Sequence, residues 1–194
     1  LSDIILFARC FQAKGEPRRC LAVLEHKGLL SAKAITNLSD VLSPKAHSTI
    51  IPITFYDFLD AIHLAAQCLF SLEQHDDCVH LLDPIMSIDN GDESVANAAA
   101  KRARHVCRGG GNTNTNGNGN DVHNNSKVNV MASIYCIVGK CHDILENKPR
   151  AIACLTTSIQ VDPACTESLE YLIENGMVSK PEKRRIYETL LDGH

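Results

Sequence analysis

Nine cysteines and nine histidines are the side chains of this 194-residue sequence that could do chemistry. Thiolates and imidazoles bind zinc, and a thiol beside an imidazole can act as a nucleophile. Cys136 lies close to Cys141-His142, and the run from His75 to His80 contains Cys78. Zinc sites usually show tightly spaced Cys or His pairs in tandem, and neither cluster has that spacing. The spacing therefore favours packing roles, and we predict no catalytic residue, no metal and no cofactor.

A repeat explains where most of these cysteines fall. When Ala8, Ala66 and Gly139 are taken as equivalent, a small residue follows twelve positions later in each copy, and a leucine follows four positions after that. A cysteine also stands two positions after each starting residue. The equivalent sets are Cys20, Cys78 and Ala151; Leu24, Leu82 and Leu155; and Cys10, Cys68 and Cys141. Five of the nine cysteines are thus assigned to packing by their register.

The elements that carry these positions are predicted to be helices. Apolar residues recur at spacings of three and four, which marks one face of a helix in each copy. A polar break and a second helix follow, and Pro17 and Pro149 lie where a first helical turn tolerates proline. The faces are Ile4, Phe7, Ala8 and Phe11; Ile62, Ala65, Ala66 and Leu69; and Tyr135, Val138, Gly139 and His142. The sequence therefore predicts antiparallel helical hairpins.

Small residues are expected where two helices of a hairpin approach closely, because large side chains would push them apart. The third copy, residues 132–165, shows this pattern best, with a proline closing it. After it, Gly176 can end one helix, and Ser179 to Glu182 reads as a capping box that opens a last helix. The pattern resembles the tetratricopeptide repeat (TPR), which implies an all-α superhelix, an α-α solenoid of hairpins. The predicted structural signature is Ala8, Cys20, Ala66, Cys78, Gly139, Ala151 and Pro163.

Residues 108–127 differ from the rest, because they are rich in Asn and Gly and contain one apolar residue, Val122. Such a stretch cannot bury enough surface to offset the entropy lost on ordering, so it is predicted to be a disordered insertion. The predicted organisation is degenerate hairpins over 1–107, the linker over 108–127, and a hairpin with a following helix pair over 128–194.

Charge and hydropathy exclude several classes of protein. The formal net charge of −4 argues against a nucleic-acid partner, which usually meets a basic excess. No apolar run is long enough for a membrane span, and the chain opens without the charged region of a signal peptide. The odd, high cysteine count fits free thiols in a reducing intracellular compartment. The sequence starts within a helical pattern and without Met, so we expect it to be a piece of a longer protein.

Two stretches resemble the TPR subunits of the anaphase-promoting complex, and among them the family called cell-division-cycle protein sixteen. They are Arg9-Cys10-Phe11 with Arg18-Arg19-Cys20-Leu21, and Gly139 to Asn147, read Gly-Lys-Cys-His-Asp-Ile-Leu-Glu-Asn. The resemblance implies a non-catalytic scaffold in a ubiquitin ligase that controls mitosis and cell division. It also implies that N-terminal hairpins pair two copies, that other subunits of the complex bind, and that the protein is found in nucleus and cytoplasm.

The same resemblance predicts where partners bind. TPR arrays bind partners on a concave face lined by the first helix of each hairpin, which here predicts Ile5, Arg9, His63, Phe70, Lys140 and Asp143. The alternative function is a generic TPR adaptor that holds a partner peptide in this groove. A clamp for a peptide carboxylate is disfavoured, because only Arg9 and Lys140 supply cations there. If two copies pair, apolar residues such as Ile5, Phe7, Phe11 and Phe70 could carry the interface.

Overall fold

The computed structural model describes residues 1–31, 33–35, 53–86 and 129–192. Within these ranges the chain forms helices and no strand. The helices are α1 (Ser2–Ala13), α2 (Pro17–His26), α3 (Ile53–Ser71), α4 (His75–Leu82), α5 (Val130–Ile144), α6 (Lys148–Val161), α7 (Thr166–Glu174) and α8 (Lys180–Asp192). The predicted all-α class is confirmed. The predicted disordered insertion and both predicted domain boundaries lie outside the described residues.

Consecutive helices pair into hairpins, and the hairpins stack on one another. Helix α1 packs on α2, α3 on α4, and α5 on α6. Each hairpin then contacts the next, because α3 packs on α1 and α2, and α5 packs on α3 and α4. At the end of the array, α6 packs on both α7 and α8. The fold is a solenoid of TPR-like hairpins, as the repeat predicted.

The small residues lie at the close helix crossings. The side chains of Ala8, Cys20, Ala66, Cys78 and Ala151 are completely buried. Gly139 is the tightest of these positions, because a Cβ atom there would lie 2.6 Å from Cγ of Leu155 and 3.3 Å from the carbonyl oxygen of Ala151. Pro163 is exposed and follows the end of α6. The packing of α5 against α6 therefore depends on the absence of a side chain at residue 139.

Four turns between consecutive helices share one backbone geometry that the sequence pattern had not shown. Gly15, Glu73, Glu146 and Gly176 all have positive φ angles, between 60° and 74°. In each turn the N–H of this residue and the N–H of the next both bond to carbonyl oxygens of the preceding helix. Helices often end on such a left-handed residue, and glycine is its usual occupant. Glutamate rather than glycine stands at two of the four turns, so the sequence did not reveal this shared geometry.

Local signals set the helix starts. Pro17 is the first residue of α2, and Pro149 is the second residue of α6, so both predicted prolines lie in a first turn. The capping box at α8 is also formed, since the Glu182 carboxylate accepts the backbone N–H of Ser179 at 2.7 Å. Among the described helices, none combines the length and the apolar character that crossing a bilayer would need.

Helix α1 departs from the predicted face. The spacing placed Phe7 on one face with Ala8, but the structure leaves 55% of Phe7 exposed and buries Ile5 beside Ala8. Ile5 and Ala8 share a cluster with Leu64 and other residues of α3. Ile5 was therefore wrong as an exposed binding residue, because its side chain fills the contact between the first two hairpins. Periodicity alone could not separate these choices, since apolar residues occupy both sides of the helix.

Candidate interaction surfaces

A polar seam joins the first helices of neighbouring hairpins, and we use that name for the side-chain bonds between α1 and α3 and between α5 and α7. In its first part, Arg9 donates to the Asp60 carboxylate at 2.9 Å, and Gln12 donates to Gln67 at 2.7 Å. Gln67 Nε2 lies 3.2 Å from His63 Nε2. These side chains are partly exposed, so they line a surface and also hold two hairpins together.

The second part of the seam links α5 to α7. Lys140 Nζ lies 2.6 Å from Glu167 and 5.3 Å from the centre of the Tyr171 ring, and only 16% of the Lys140 side chain is exposed. The Tyr171 hydroxyl donates to Asp143 at 3.0 Å. Burial and this hydrogen bond raise the pKa of Tyr171 to about 12, so the hydroxyl keeps its proton at neutral pH. Lys140 is thus already paired with Glu167, and Asp143 already accepts a hydrogen bond from Tyr171.

The structure therefore separates the predicted binding residues into groups. Arg9, His63, Lys140 and Asp143 all belong to the seam. Phe70 is half-buried, and its ring lies 5.3 Å from that of His75. A peptide in the predicted groove would have to compete with bonds between hairpins, because Arg9 and Lys140 have carboxylate partners. This geometry disfavours a clamp for a peptide carboxylate more strongly than the sequence did.

A second surface is an apolar groove on the outer side of the first hairpin. It has a volume of about 580 Å³ and lies between α1 and α2. Its lining residues are Asp3, Ile4, Phe7, Phe11, Arg19, Ala22, Val23, His26 and Lys27, and we call it the Phe7 groove. Phe7 and Phe11 meet edge to face, with ring centres 4.9 Å apart. Phe7 is exposed and Phe11 is half-buried. An aromatic pair in a concave apolar surface is typical of a site for a protein partner.

Charges stand at the two ends of the Phe7 groove. Arg19 lies at the start of α2, where its guanidinium is 5.9 Å from the Phe11 ring and 2.9 Å from the Glu16 carboxylate. Asp3 lies at the start of α1, and therefore at the opposite end of an antiparallel hairpin. Sequence reasoning had considered Phe7 and Phe11 for an interface but had missed Ala22 and Val23. Their signal was a second apolar stripe on α2.

The chemistry-bearing side chains are mostly buried between the hairpins. In the part of the chain that the structure describes, no three His, Cys, Asp or Glu side chains are arranged to hold a metal ion. Ser168 donates to Ser158, which donates to the Ala132 carbonyl oxygen, and Cys165 lies 3.4 Å from Ser158. This chain of bonds uses the hydroxyl protons for packing α7 onto α5 and α6. These hydrogen bonds explain why the three polar side chains are buried, and the arrangement suggests no reaction.

Comparisons with known proteins give one curated relative. The chain is 27% identical over 128 residues to anaphase-promoting complex subunit 6 of Arabidopsis thaliana, a match that covers 66% of this chain and 21% of the relative. The matched region is therefore about a fifth of the length of that protein. No protein-family model matches the chain, and no solved structure matches it either. At this level of identity, the chain is similar to one subunit of the anaphase-promoting complex.

Proposed function

We propose that this chain is part of a non-catalytic scaffold subunit of the anaphase-promoting complex, acting in the ubiquitin pathway that controls mitosis. The observation that carries the proposal is the similarity to a subunit of that complex over two thirds of the chain. A solenoid of stacked hairpins supports it, because such arrays present extended surfaces to partners and need no reaction centre. The partners are then other subunits of the complex, and the protein acts in nucleus and cytoplasm.

Purification of the tagged full-length protein from dividing cells, followed by mass spectrometry, tests this proposal. Cullin-like and RING subunits should be recovered together with other TPR subunits. Recovery of chaperones or of an unrelated set of proteins would contradict the scaffold role. The function would then reduce to the alternative, a generic TPR adaptor for a partner peptide.

We further propose that two copies of the chain pair through the Phe7 groove. A two-fold axis near Phe7 would place the grooves of the two copies against each other and bury the exposed Phe7 side chain of each copy. Such an axis would also bring Arg19 at one end of a groove near the end of the second groove, where Asp3 and Lys27 both lie. The apolar centre of the groove is therefore the part that suits it to a second copy of the chain.

The mass of the full chain in solution tests the pairing. Phe7→Glu should convert a dimer to a monomer in sedimentation equilibrium, because it places a charge in the centre of the apolar contact. Leu6→Glu is the matched control, since Leu6 is 64% exposed on the same helix but does not line the groove. A dimer that survives Phe7→Glu, or a wild-type chain that is a monomer, would contradict pairing through this surface.

A further inference from the structure

Three pairs of buried cysteines join each hairpin to the next. Cys20 and Cys68 are neighbours between α2 and α3, and Cys78 and Cys141 are neighbours between α4 and α5, so the two thiols of each pair shift each other's pKa. The pair Cys136 and Cys165 connects α5 to the start of α7. All six are free thiols. The first two pairs are equivalent in the repeat, so they allow one junction to be compared directly with another.

One imidazole distinguishes the second pair from the first. His75 Nδ1 lies 3.9 Å from Cys141 Sγ, and the centre of the Phe70 ring lies 5.3 Å from that of the imidazole. His75 stands three residues before Cys78, on the same face of α4. The residue three places before Cys20 is Pro17, which offers no base. The two equivalent thiol pairs therefore differ in the group that could take up a proton.

Contact with His75 favours ionisation of Cys141 over Cys78, because the imidazole can take up the Cys141 thiol proton. The neighbouring Cys78 thiol also lowers the pKa of Cys141, against the opposing effect of burial. The pKa of Cys78 is raised by Cys141 and by burial. Cys78 Sγ also lies 3.8 Å from the Ala66 carbonyl oxygen, which can accept its proton in a hydrogen bond. Cys141 is thus the nucleophile of the pair, because the thiolate is the reactive form of cysteine.

We expect a small oxidant to reach this pair through the start of α4. Both thiols are fully buried, but His75 is half-buried and is the first residue of the helix. Helix α4 has only 8 residues, and its N-cap Gln74 makes no side-chain capping bond. A short helix without a cap opens at its first turn more easily than a long one. This opening gives a small solute a path along His75 to the two sulfur atoms.

We propose that Cys78 and Cys141 are a site of oxidative modification, at which His75 accepts the Cys141 thiol proton and hydrogen peroxide converts the two thiols to a disulfide. The Cys141 thiolate attacks peroxide, so one oxygen is transferred to sulfur, the O–O bond breaks and hydroxide leaves. Cys78 then attacks this sulfenic acid, the S–S bond forms, and the second hydroxide leaves. The imidazolium proton and the Cys78 proton convert the two hydroxides to water. Two thiols are oxidised and one peroxide is reduced to two waters.

The disulfide would fix the junction between the second and third hairpins. Residues 79–140 separate the two cysteines in sequence, so the new bond would close a long loop and stabilise the stacked form. It would also hold α4 and α5 together if the chain were cut between them. Oxidation would therefore make the solenoid stiffer at this junction.

The test follows all three pairs in one sample. The reduced full chain is treated with hydrogen peroxide, the remaining thiols are blocked with N-ethylmaleimide, and peptides are quantified by mass spectrometry over time. The peptides linked by Cys78 and Cys141 should form about tenfold faster than those linked by Cys20 and Cys68, because general-base assistance is worth at least that factor. His75→Gln should remove the difference between these two pairs.

His80→Gln is the matched control, because His80 is exposed on the same helix and, among the described residues, no hydrogen bond joins it to Cys141 or Cys78. Circular dichroism and thermal melting establish that both variants are folded, so no cysteine has to be replaced. Unchanged oxidation in His75→Gln would overturn the proposal. Equal rates for the two equivalent pairs, or no disulfide between Cys78 and Cys141, would overturn it as well.

Discussion

Gly139 of α5 and Leu155 of α6 are in such close contact that a Cβ atom at residue 139 would lie 2.6 Å from Cγ and 3.0 Å from Cδ2 of the leucine. Leu155 is completely buried, so it has little room to move away. This contact fixes the distance between the two helices of the third hairpin. It also gives the repeat register a physical meaning, because the smallest residue lies at the closest crossing.

Gly139→Leu should therefore destabilise the chain by overpacking, by about 1–3 kcal/mol or more in the free energy of unfolding. Gly139→Ala should also destabilise, although alanine is the better helix former. Urea unfolding of Gly139→Ala, Leu155→Ala and the double variant measures their coupling. In the Leu155→Ala background, Gly139→Ala should become neutral or stabilising, since the clash is gone. Equal effects of Gly139→Ala in both backgrounds would show that the register is wrong.

The left-handed turns predict opposite effects of glycine at equivalent positions. Glu73→Gly should stabilise the chain by about 0.5–1 kcal/mol, because glycine adopts positive φ without steric cost. Gly15→Ala should destabilise it by a similar amount. No described atom lies within 4 Å of the Cβ position at Gly15, so a clash cannot account for that loss. Chemical denaturation measures both, and effects of the same sign would contradict the shared turn geometry.

The two parts of the polar seam should differ in energy. The side chains of Arg9 and Asp60 are 42% and 31% exposed, so solvent screens their ion pair, and Arg9→Met should cost less than about 1 kcal/mol. Lys140 is 16% exposed and lies near both Glu167 and the Tyr171 ring, so Lys140→Met should cost more, about 1–2 kcal/mol. Urea unfolding at low and high salt compares them. Equal losses for the two variants would argue against this ranking.

Buried His142 should make stability depend on pH. Burial lowers the pKa of His142 below its usual 6.5, the nearby Arg150 lowers it further, and Asp83 opposes them. Below pH 6.5 the unfolded chain therefore binds a proton that the folded chain does not. The contribution of His142 is complete above about pH 6.5 and is lost progressively as the pH falls below that value. The free energy of unfolding at pH 7.5 and 5.5 should differ less in His142→Gln than in wild type.

Comparison of the variant with wild type isolates the contribution of His142. His80→Gln serves as the control for replacing a histidine on the surface, because His80 is exposed on α4 and does not line the Phe7 groove. An identical pH dependence in His142→Gln and wild type would contradict the role of burial.

The sequence by itself determined the hairpins, their order and the starts of several helices. These features depend on neighbours close in the chain: the spacing of Ala8 and Cys20 within one hairpin, prolines in first turns, and the capping box of Ser179 and Glu182. The same local patterns placed Gly139 against the second helix of its hairpin. Short-range sterics and hydrogen bonding decide such features, so a pattern of residues is enough to predict them.

Only the tertiary structure decided which surfaces are free. It paired Arg9 with Asp60 across 51 residues and brought His75 to Cys141 across 66. It buried Ile5 and exposed Phe7 on one helix, although both are apolar and either could have faced the core. These outcomes depend on which hairpin stacks against which and at what angle. That arrangement comes from contacts between distant residues, which a single sequence does not display.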